Sequence, residues 1–494
     1  MANTGCCTPL EQLCEPCGFA VSVEELALGG VSFHDLAEHF AARPDFALLD
    51  SRGTDDDSLA AHSFLTFAPF ARFTTKDGVS TLRVGHREQT VTGDPFRSLQ
   101  HVLESWRVRP GGDACSIPFV GGAIGYFSYE LGRQLEVLPR AAVDDLGCPD
   151  AYVSFYNFAV ALHRRSGRMY LCHLEPQGER LGLTRDVILA ELQAVAAGAY
   201  QEPQFAKADG RPAGEFRSEL SEAAYLAAVR RIKEYIYAGD VYQVNMTQRF
   251  RAPVSHDASW SVYKQLAAIN PAPFAAYLNC EGHTVASSSP ERFLRVDRRE
   301  VETRPIKGTF RRGATPDEDA HRRMTLFRSP KNRAELAMIV DLLRNDIGRV
   351  CAPGSVHVCA FPRVETYASV HHLVATITGE LGLDVGVVDV IKATFPGGSI
   401  TGAPKIRAME IIDELEPVAR GVYTGCIGYV SFDGRADLNI AIRTIVFKDG
   451  MAHVHAGGGI VADSDPSEEY EELLLKADKL FQAVRLATTL RACA

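Results

Sequence analysis

Hydrophobic and polar residues alternate along several short stretches of the chain. In the first half, β-branched and aromatic residues recur with a period of two at Phe64–Ala71, Ala151–Leu162 and Met169–His173. A turn containing Gly167 separates the last two stretches, so the pattern predicts antiparallel strands. Similar strand patterns follow in the second half at Val241–Arg251, Phe274–Asn279, Phe293–Val296, Gly425–Phe432, Ile440–Lys448 and Met451–His455.

Other stretches carry apolar residues at three- and four-residue steps, the period of an amphipathic helix. They lie at Asp94–Trp106, Leu183–Ala197, Ser221–Ala238, Pro316–Arg328, Asn332–Asp346, Val385–Ala393, Lys405–Leu415 and Pro466–Arg491. The strands and helices mix without regular β–α–β alternation. We therefore predict an α+β fold that is built on antiparallel sheets.

A change in composition predicts the main internal boundary. Residues Gly198–Gly214 collect Gly, Pro, Gln and Lys with little periodicity. We accordingly divide the chain into an N-terminal tail at 1–20, an N-terminal region at 21–214 and a C-terminal region at 215–494.

Composition and charge exclude several classes of protein. The 494 residues are 46% hydrophobic and 23% charged, which is typical of a globular protein. A formal net charge of -10 opposes non-specific binding to nucleic acid or anionic membranes. Because no secretion signal or membrane-spanning apolar run is recognisable, we expect a cytoplasmic protein without nucleic-acid or membrane partners.

The twelve cysteines are too sparse for a disulfide scaffold. Four of them cluster near the N-terminus, at Cys6, Cys7, Cys14 and Cys17. The spacing of Cys14 and Cys17 suits zinc, but no matching second pair follows. We therefore favour a disordered tail for this segment.

Two segments of the C-terminal region carry candidate reactive groups. Lys307 lies between Pro305 and Gly308 beside an apolar isoleucine, which is an unusual position for a surface lysine. A desolvated lysine is more often neutral, and a neutral amine is a nucleophile or base. Glu291 precedes a short strand and could transfer a proton, although Arg292 beside it also permits an ordinary ion pair. A solvent-reaching Lys307 remains the alternative.

Two predicted helices carry carboxylates that could bind a metal. The helix at Asn332–Asp346 is apolar on nearly every face, so we expect it to be buried. Asp341 and Arg344 could then pair with each other, whereas Glu335 has no obvious local partner and could be a metal ligand. In the last helix, Glu469, Glu472 and Lys476 share one face. This face is either a solvated, salt-bridged surface or a set of oxygen ligands for Mg²⁺.

Two glycine-rich segments, Phe395–Lys405 and Ala456–Ile460, are predicted to be turns. Backbone N–H groups in such turns could bind a carboxylate or phosphate. Lys405 follows a proline, which does not fit a P-loop, and neither segment fits the dinucleotide-binding spacing. Nucleotide binding is therefore disfavoured.

These motifs together are similar to those of the chorismate-utilising enzyme family, which includes anthranilate synthase, isochorismate synthase, salicylate synthase and aminodeoxychorismate synthase component I. The similarity is dense over Glu219–Leu486 and looser before it. It is carried by Asp341–Arg349, Gly397–Lys405 and Gly457–Val461, and more loosely by Gly121–Phe127 and Leu48–Ser51. The resemblance implies a large antiparallel core of two packed sheets surrounded by helices. It also implies that 21–214 resembles the N-terminal region of anthranilate synthase component I and that 215–494 binds chorismate.

The resemblance also implies roles for individual residues. Lys307, Glu291, His372 and Gln243 would be catalytic. Mg²⁺ would bind Glu335, Glu469 and Glu472, although Asn332 replaces an acidic residue that relatives often carry nearby. The substrate pocket would be lined by Ser399, Thr401, Tyr423, Arg443, Gly457, Gly458, Gly459 and Lys476.

Within the family, the sequence from Pro305 to Thr309 resembles members that make 4-amino-4-deoxychorismate, whereas anthranilate synthases typically carry alanine at position 307. Members that use water typically carry lysine at position 243, so Gln243 indicates ammonia as the nucleophile. In the implied reaction, Lys307 attacks C2 of chorismate, Glu291 protonates the departing C4 hydroxyl, and ammonia then adds at C4 and expels the lysine from C2.

No glutaminase region is recognisable, so ammonia would come from a separate glutamine amidotransferase subunit or from free ammonium. The resemblance also implies a place in p-aminobenzoate and folate biosynthesis. Two alternatives remain open: anthranilate synthase component I, and a non-catalytic sensor of chorismate or tryptophan.

Overall fold

The computed structural model describes residues 13–492 apart from 15, 55, 109–115, 179–180, 199–213 and 368–369. Its helices are α1 (Phe33–Phe40), α2 (Asp57–Ala60), α3 (Pro95–Ser105), α4 (Arg185–Ala196), α5 (Glu222–Ala238), α6 (Ser259–Ile269), α7 (Pro316–Arg328), α8 (Pro330–Gly348), α9 (Val387–Thr394), α10 (Lys405–Leu415) and α11 (Pro466–Ala492).

The strands of the N-terminal region are β1 (Cys17–Leu26), β2 (Ala47–Asp50), β3 (His62–Thr66), β4 (Ala71–Lys76), β5 (Val79–Val84), β6 (Arg87–Thr92), β7 (Trp106–Val108), β8 (Gly122–Phe127), β9 (Ala151–Tyr156), β10 (Phe158–His163) and β11 (Arg168–Pro176). Those of the C-terminal region are β12 (Arg217–Ser218), β13 (Gln243–Pro253), β14 (Phe274–Cys280), β15 (His283–Ser289), β16 (Arg292–Asp297), β17 (Glu300–Arg304), β18 (Ile306–Arg311), β19 (His357–Thr366), β20 (Val370–Glu380), β21 (Gly402–Ala403), β22 (Cys426–Ser431), β23 (Ala436–Ile440), β24 (Thr444–Lys448) and β25 (Met451–Ile460).

The described strands form two large sheets. The first has the order β12-β13-β25-β24-β15-β14-β2-β3-β10-β11-β1-β7, with β21 beside β13. The second has the order β18-β20-β17-β16-β23-β22-β8-β9-β4-β5-β6, with β19 beside β20. Neighbouring strands are antiparallel throughout these two orders except for the parallel pair β1 and β7.

The two sheets pack face to face around an apolar core. Phe64 of β3 contacts Tyr429 of β22 with ring centroids 5.8 Å apart. At another point of the interface, the hydroxyl of Tyr126 and Nε2 of His283 are 2.8 Å apart in a buried hydrogen bond. The α+β class and the two packed antiparallel sheets predicted from the sequence are confirmed.

Each sheet contains strands from both sides of the boundary at 198–214, so the two regions fold together rather than as separate sheets. Strand β1 begins at Cys17, inside the segment treated from sequence as a tail. Cys14 and Cys17 are 2% and 8% exposed and belong to the core. The interpretation as a disordered tail is therefore wrong for these two residues, while Cys6 and Cys7 lie outside the described residues.

Helix α8 shows how local sequence signals place a functional side chain. Ser329 caps the helix by accepting a hydrogen bond from the backbone N–H of Asn332, and Pro330 occupies its first turn. One stripe, which includes Leu336 and Leu343, packs against the core. The expectation that nearly every face is buried is wrong, because the carboxylate of Asp341 is 83% exposed.

Candidate active site

Lys307 projects from an irregular point in β18. The pairing of β18 with β20 shifts register between Lys307 and Thr309, so Gly308 forms a bulge. Gly308 has a φ of +72°, and a Cβ there would lie 2.8 Å from Cγ of Asn332. A glycine is therefore needed for β18 to pass this close to α8 while Lys307 keeps its position.

The amine of Lys307 lies in a polar but desolvated environment. Its Nζ donates a hydrogen bond to the carbonyl oxygen of Ser399 at 3.2 Å. Burial lowers the pKa of Lys307 below its ordinary value, while the carboxylates of Glu335 and Glu291 oppose that shift. Burial therefore dominates and increases the fraction of neutral, nucleophilic amine.

Glu291 connects β15 to β16 and is 5% exposed. Burial raises the pKa of its carboxyl to about 7, although a hydrogen bond to the Ser399 side chain and the charge of Lys307 favour ionisation. Ser399 consequently contacts both candidates, Glu291 through its side chain and Lys307 through its carbonyl. A carboxyl with this pKa can hold a proton at neutral pH and donate it.

The segment after α9 forms a 3₁₀ turn at Gly398–Ile400 and then β21, which pairs with β13. Thr401 is fully buried, and its hydroxyl donates to the carbonyl of Gly397 at 3.0 Å. The backbone carbonyl of Thr401 accepts from the N–H of Asn245 at 2.8 Å. These two hydrogen bonds make Thr401 part of the internal support of this segment, and its role in substrate binding stays a prediction.

Gln243 and Asn245 lie two residues apart at the start of β13, so their side chains share one face of the strand. Gln243 is fully buried, and its Nε2 donates to Oδ1 of Asn245 at 3.3 Å. Nδ2 of Asn245 donates to the carbonyl of Ser399 at 2.7 Å. Sequence reasoning missed Asn245, because a single asparagine in a strand pattern carries no distinguishing signal.

His372 lies on β20 beside the β18 bulge. Its Nδ1 is 3.0 Å from the hydroxyl of Thr309, and burial lowers its pKa to about 4. The charge of Arg443 also lowers the pKa of His372, which places these two side chains in one electrostatic environment. His372 is thus neutral at physiological pH.

Tyr423 and Arg443 occupy two turns near this region. Tyr423 stacks on His455 with ring centroids 5.1 Å apart, and burial raises its pKa to about 12. Arg443 follows β23 with a φ of +53° and donates to the carbonyl of Lys476. The predicted strand Ile440–Lys448 is wrong at this point, because a turn at Arg443 separates β23 from β24.

The predicted turn at Gly457, Gly458 and Gly459 is also wrong, because these glycines continue β25 and pair with β13. The pairing of β25 with β24 ends at Val454. From Gly457 to Gly459, the edge of β25 that faces away from β13 therefore has no neighbouring strand among the described residues. On that side, Nζ of Lys476 donates to the carbonyl of Gly457 at 3.0 Å. A Cβ on Gly458 would lie 3.2 Å from the same Nζ.

The three candidate metal ligands, Glu335, Glu469 and Glu472, come from α8 and α11. Burial raises the pKa values of Glu335 and Glu469, and the charge of Glu472 raises both further. The pKa of Glu472 is lowered by Lys476, whose Nζ lies 2.6 Å from its carboxylate. The charge of Glu472 therefore acts on both of the other carboxylates, and oxygen donors of this kind fit a hard divalent cation.

Among the described residues, however, no three acidic, histidine or cysteine side chains lie close enough together to hold a metal. Glu469 instead accepts from the hydroxyl of Ser464 at 2.7 Å, and its carboxylate lies 3.8 Å from Nζ of Lys331. Metal binding would require the three carboxylates to move closer together.

A buried ion pair between Arg420 and Glu416 supports the backbone of the site, and the sequence analysis did not predict it. The guanidinium of Arg420 is paired with Glu416, and it also donates to the carbonyls of Ile400 and Asn245 at 3.0 and 2.7 Å. Glu416 accepts in turn from the backbone N–H of Thr247 at 2.9 Å. The pair therefore ties the 3₁₀ turn to β13.

Comparison with known proteins identifies the family. The profile of chorismate binding enzymes matches residues 45–482. The chain belongs to the chorismate-binding enzyme family. A family member, aminodeoxychorismate synthase component 1 of Escherichia coli strain K12, is 40% identical over 453 residues, covering 91% of this chain and 96% of its own.

Other family members are similarly close. Anthranilate synthase component 1 of Thermus thermophilus is 41% identical over 84% of this chain and 87% of its own. The crystal structure of anthranilate synthase component I from Streptococcus pneumoniae matches with a TM-score of 0.74 and 31% identity, over 85% of this chain and 92% of that one. The family fold expected from the sequence motifs is confirmed.

A cavity of about 240 Å³ lies between the sheets and is not lined by Lys307. Its lining includes Leu49, Asp50 and Ser51, together with Phe274 and Tyr429.

None of the helices in the described part of the chain combines the length and the hydrophobicity that a membrane span needs.

Proposed function

We propose that this protein converts chorismate and ammonia into 4-amino-4-deoxychorismate through a covalent intermediate on Lys307. The proposal rests on one observation: Ser399 contacts both a desolvated amine and a buried carboxyl. Its carbonyl accepts from Nζ of Lys307, and its side chain forms a hydrogen bond with Glu291. Their pKa shifts run in the directions that a nucleophile and a general acid require.

In the first step, the neutral amine of Lys307 forms a bond to C2 of chorismate, the ring double bond shifts, and the bond from C4 to its hydroxyl breaks. Glu291 supplies the proton with which that hydroxyl leaves as water. The carboxyl suits this role because its pKa of about 7 leaves a substantial protonated fraction at neutral pH.

In the second step, ammonia forms a bond to C4 and the bond between C2 and Lys307 breaks. A proton from the new ammonium group at C4 returns to Glu291, which restores the free enzyme. The net change is chorismate plus ammonia to 4-amino-4-deoxychorismate plus water. Splitting one difficult allylic displacement into two easier ones is the ordinary advantage of covalent catalysis. His372, neutral beside the bulge, and Gln243, buried at the start of β13, would complete the catalytic set.

Substrate binding would use groups around this centre. The substrate carboxylates would be held by Arg443, by Lys476 and by the edge of β25 at Gly457–Gly459 that no described strand covers. Tyr423 and Ser399 would lie beside them. Glu335, Glu469 and Glu472 would hold Mg²⁺. When bound, Mg²⁺ would neutralise the mutual repulsion of these carboxylates and attract the anionic substrate.

Ammonia would come from a separate glutamine amidotransferase subunit, in keeping with the name component 1 of the relatives. We also propose that the protein acts in the cytoplasm, in the synthesis of p-aminobenzoate and folate.

Product analysis tests the proposal. The full chain is incubated with chorismate, MgCl₂ and ammonium chloride, and the products are separated and identified by mass, with Lys307→Met as the inactive control. We expect 4-amino-4-deoxychorismate without the fluorescence of anthranilate. A fluorescent product would instead indicate an anthranilate synthase, and unconsumed chorismate would indicate a sensor.

A further inference from the structure

Asn245 links the two residues that the proposed reaction needs in different steps. Its Oδ1 accepts from Gln243 at 3.3 Å, and its Nδ2 donates to the carbonyl of Ser399 at 2.7 Å. The same carbonyl accepts from Nζ of Lys307 at 3.2 Å. A continuous chain of hydrogen bonds therefore runs from the amide of Gln243 to the amine of Lys307.

The backbone of Asn245 is fixed at both of its polar groups. Its N–H donates to the carbonyl of Thr401 at 2.8 Å, and its carbonyl accepts from Arg420 at 2.7 Å. The side chain is 7% exposed, so both hydrogen bonds of its amide are shielded from water. Rotating the amide by half a turn would place a donor against Gln243 and an acceptor against Ser399, which is unfavourable at both ends.

This arrangement leaves one buried acceptor over. Oε1 of Gln243 has no hydrogen-bond partner among the described residues, although the side chain is fully buried. Gly459 lies against both amides, since a Cβ there would come within 2.3 Å of Nε2 of Gln243 and 2.9 Å of Oδ1 of Asn245. An unsatisfied buried acceptor of this kind suits a small hydrogen-bond donor.

We infer that Asn245 is a positioning residue for both steps: it aligns the Ser399 carbonyl that orients Lys307, and it fixes Gln243 with Oε1 presented to ammonia. This inference rests on the proposed function. Ammonia has three N–H donors and one lone pair. An acceptor such as Oε1 can hold an N–H and leave the lone pair available for attack at C4, whereas the amide N–H₂ would bind the lone pair itself.

Two substitutions separate the two effects. Asn245→Asp keeps the size of the side chain and an acceptor for Gln243 but removes the donor to Ser399. We expect it to slow formation of the Lys307 adduct from chorismate alone by roughly tenfold or more, with a smaller change in KM for ammonium. Asn245→Leu removes both hydrogen bonds, so adduct formation should slow and KM for ammonium should also rise by roughly tenfold or more.

Asn157→Asp is the matched control. Asn157 is 1% exposed, and its Nδ2 likewise donates to a backbone carbonyl, that of Leu183 at 2.8 Å, outside the candidate site. Asn157→Asp shows how far adduct formation and ammonium affinity fall when folding alone is weakened. If the Asn245 variants lose no more than this for the same loss of folding, the inference is wrong. Unchanged adduct rates in a folded Asn245→Asp would equally overturn it.

Gly459→Ala provides a second test if the Asn245 variants do not fold. The added methyl would displace the two amides without removing any of their atoms. We expect a raised KM for ammonium, and an unaltered KM for ammonium would contradict the inference. The wild-type product distinguishes the two failures, because any product other than 4-amino-4-deoxychorismate refutes the proposed function independently of Asn245.

Discussion

Replacing Glu291 by glutamine separates the catalytic value of this buried carboxyl from its effect on stability. Glutamine has the same size and retains an oxygen that can accept from Ser399, but it has no acidic proton. Burial raises the pKa of Glu291 from 4.5 to about 7. Because one pKa unit corresponds to about 1.4 kcal/mol, ionising this group in the folded protein costs about 3 kcal/mol more than in the unfolded chain.

The sign of the stability effect follows from proton linkage. A carboxyl whose pKa is raised by folding binds its proton more tightly in the folded state, so the free energy of unfolding falls as pH rises from about 4.5 to about 7. Above that range the penalty of about 3 kcal/mol is fully present. Glu291→Gln removes it and should leave the protein equally stable or more stable at pH 8.

The catalytic effect has the opposite sign. Loss of a general acid lowers turnover by roughly 10²- to 10⁴-fold, which corresponds to about 3 to 5 kcal/mol of lost transition-state stabilisation. The expected variant is therefore folded, as stable as the wild type or more so, and nearly inactive. In the wild type, turnover should fall as pH rises above about 7, because the acid is then deprotonated.

The assay combines chorismate consumption at saturating ammonium with urea unfolding at pH 6 and pH 8. Glu130→Gln is the matched control, because burial also raises the pKa of Glu130 to about 7, and its carboxylate accepts from the backbone of Arg420. This control should gain stability in the same way and keep turnover within a few-fold. A Glu291→Gln enzyme with near wild-type turnover would refute the general-acid role.

Three other changes have defined outcomes. Lys307→Met should abolish product formation without loss of stability in urea unfolding, because it removes an amine that burial disfavours in its charged form. Arg420→Met should lower the free energy of unfolding by about 3 to 5 kcal/mol, because it leaves Glu416 buried and unpaired. Glu472→Gln should raise the Mg²⁺ concentration required for half-maximal turnover, which a magnesium titration after chelation measures.

Each of these outcomes can fail independently. Residual turnover of Lys307→Met above a trace would rule out the covalent route. A free energy of unfolding unchanged by Arg420→Met would mean that the Arg420–Glu416 pair does not hold the site together. An unaltered magnesium requirement in Glu472→Gln, with Glu471→Gln on the same helix as the control, would remove Glu472 from the metal site.

Local patterning was enough to predict the class of fold and the positions of most helices, because caps and periodicity are properties of neighbouring residues. It was insufficient where tertiary packing decides. Helix α8 looked buried on nearly every face, yet Asp341 and Arg344 pair with each other on its exposed side. The glycines at 457–459 resembled a turn, but close contact with β13 keeps them in a strand: a Cβ on Gly457 would lie 2.2 Å from the carbonyl oxygen of Met246.

The position of Lys307 between Pro305 and Gly308 singled it out as a candidate, and the family resemblance implied its role. Asn245 and Arg420 were not predictable in the same way. Each acts through hydrogen bonds to the backbone of distant segments, at Ser399 and Ile400 respectively. Such contacts depend on how the sheets bring β13 and the 3₁₀ turn together, and periodicity does not encode that arrangement.

The covalent route requires the amine at position 307 to bond to the substrate. Intact-mass measurement and peptide mapping after incubation with chorismate and MgCl₂, without any ammonia source, detect such a bond. We expect a chorismate-derived adduct on the peptide containing Lys307, which ammonium then discharges and which Lys307→Met lacks. An enzyme that turns over chorismate with ammonium but never carries that adduct would refute the covalent route.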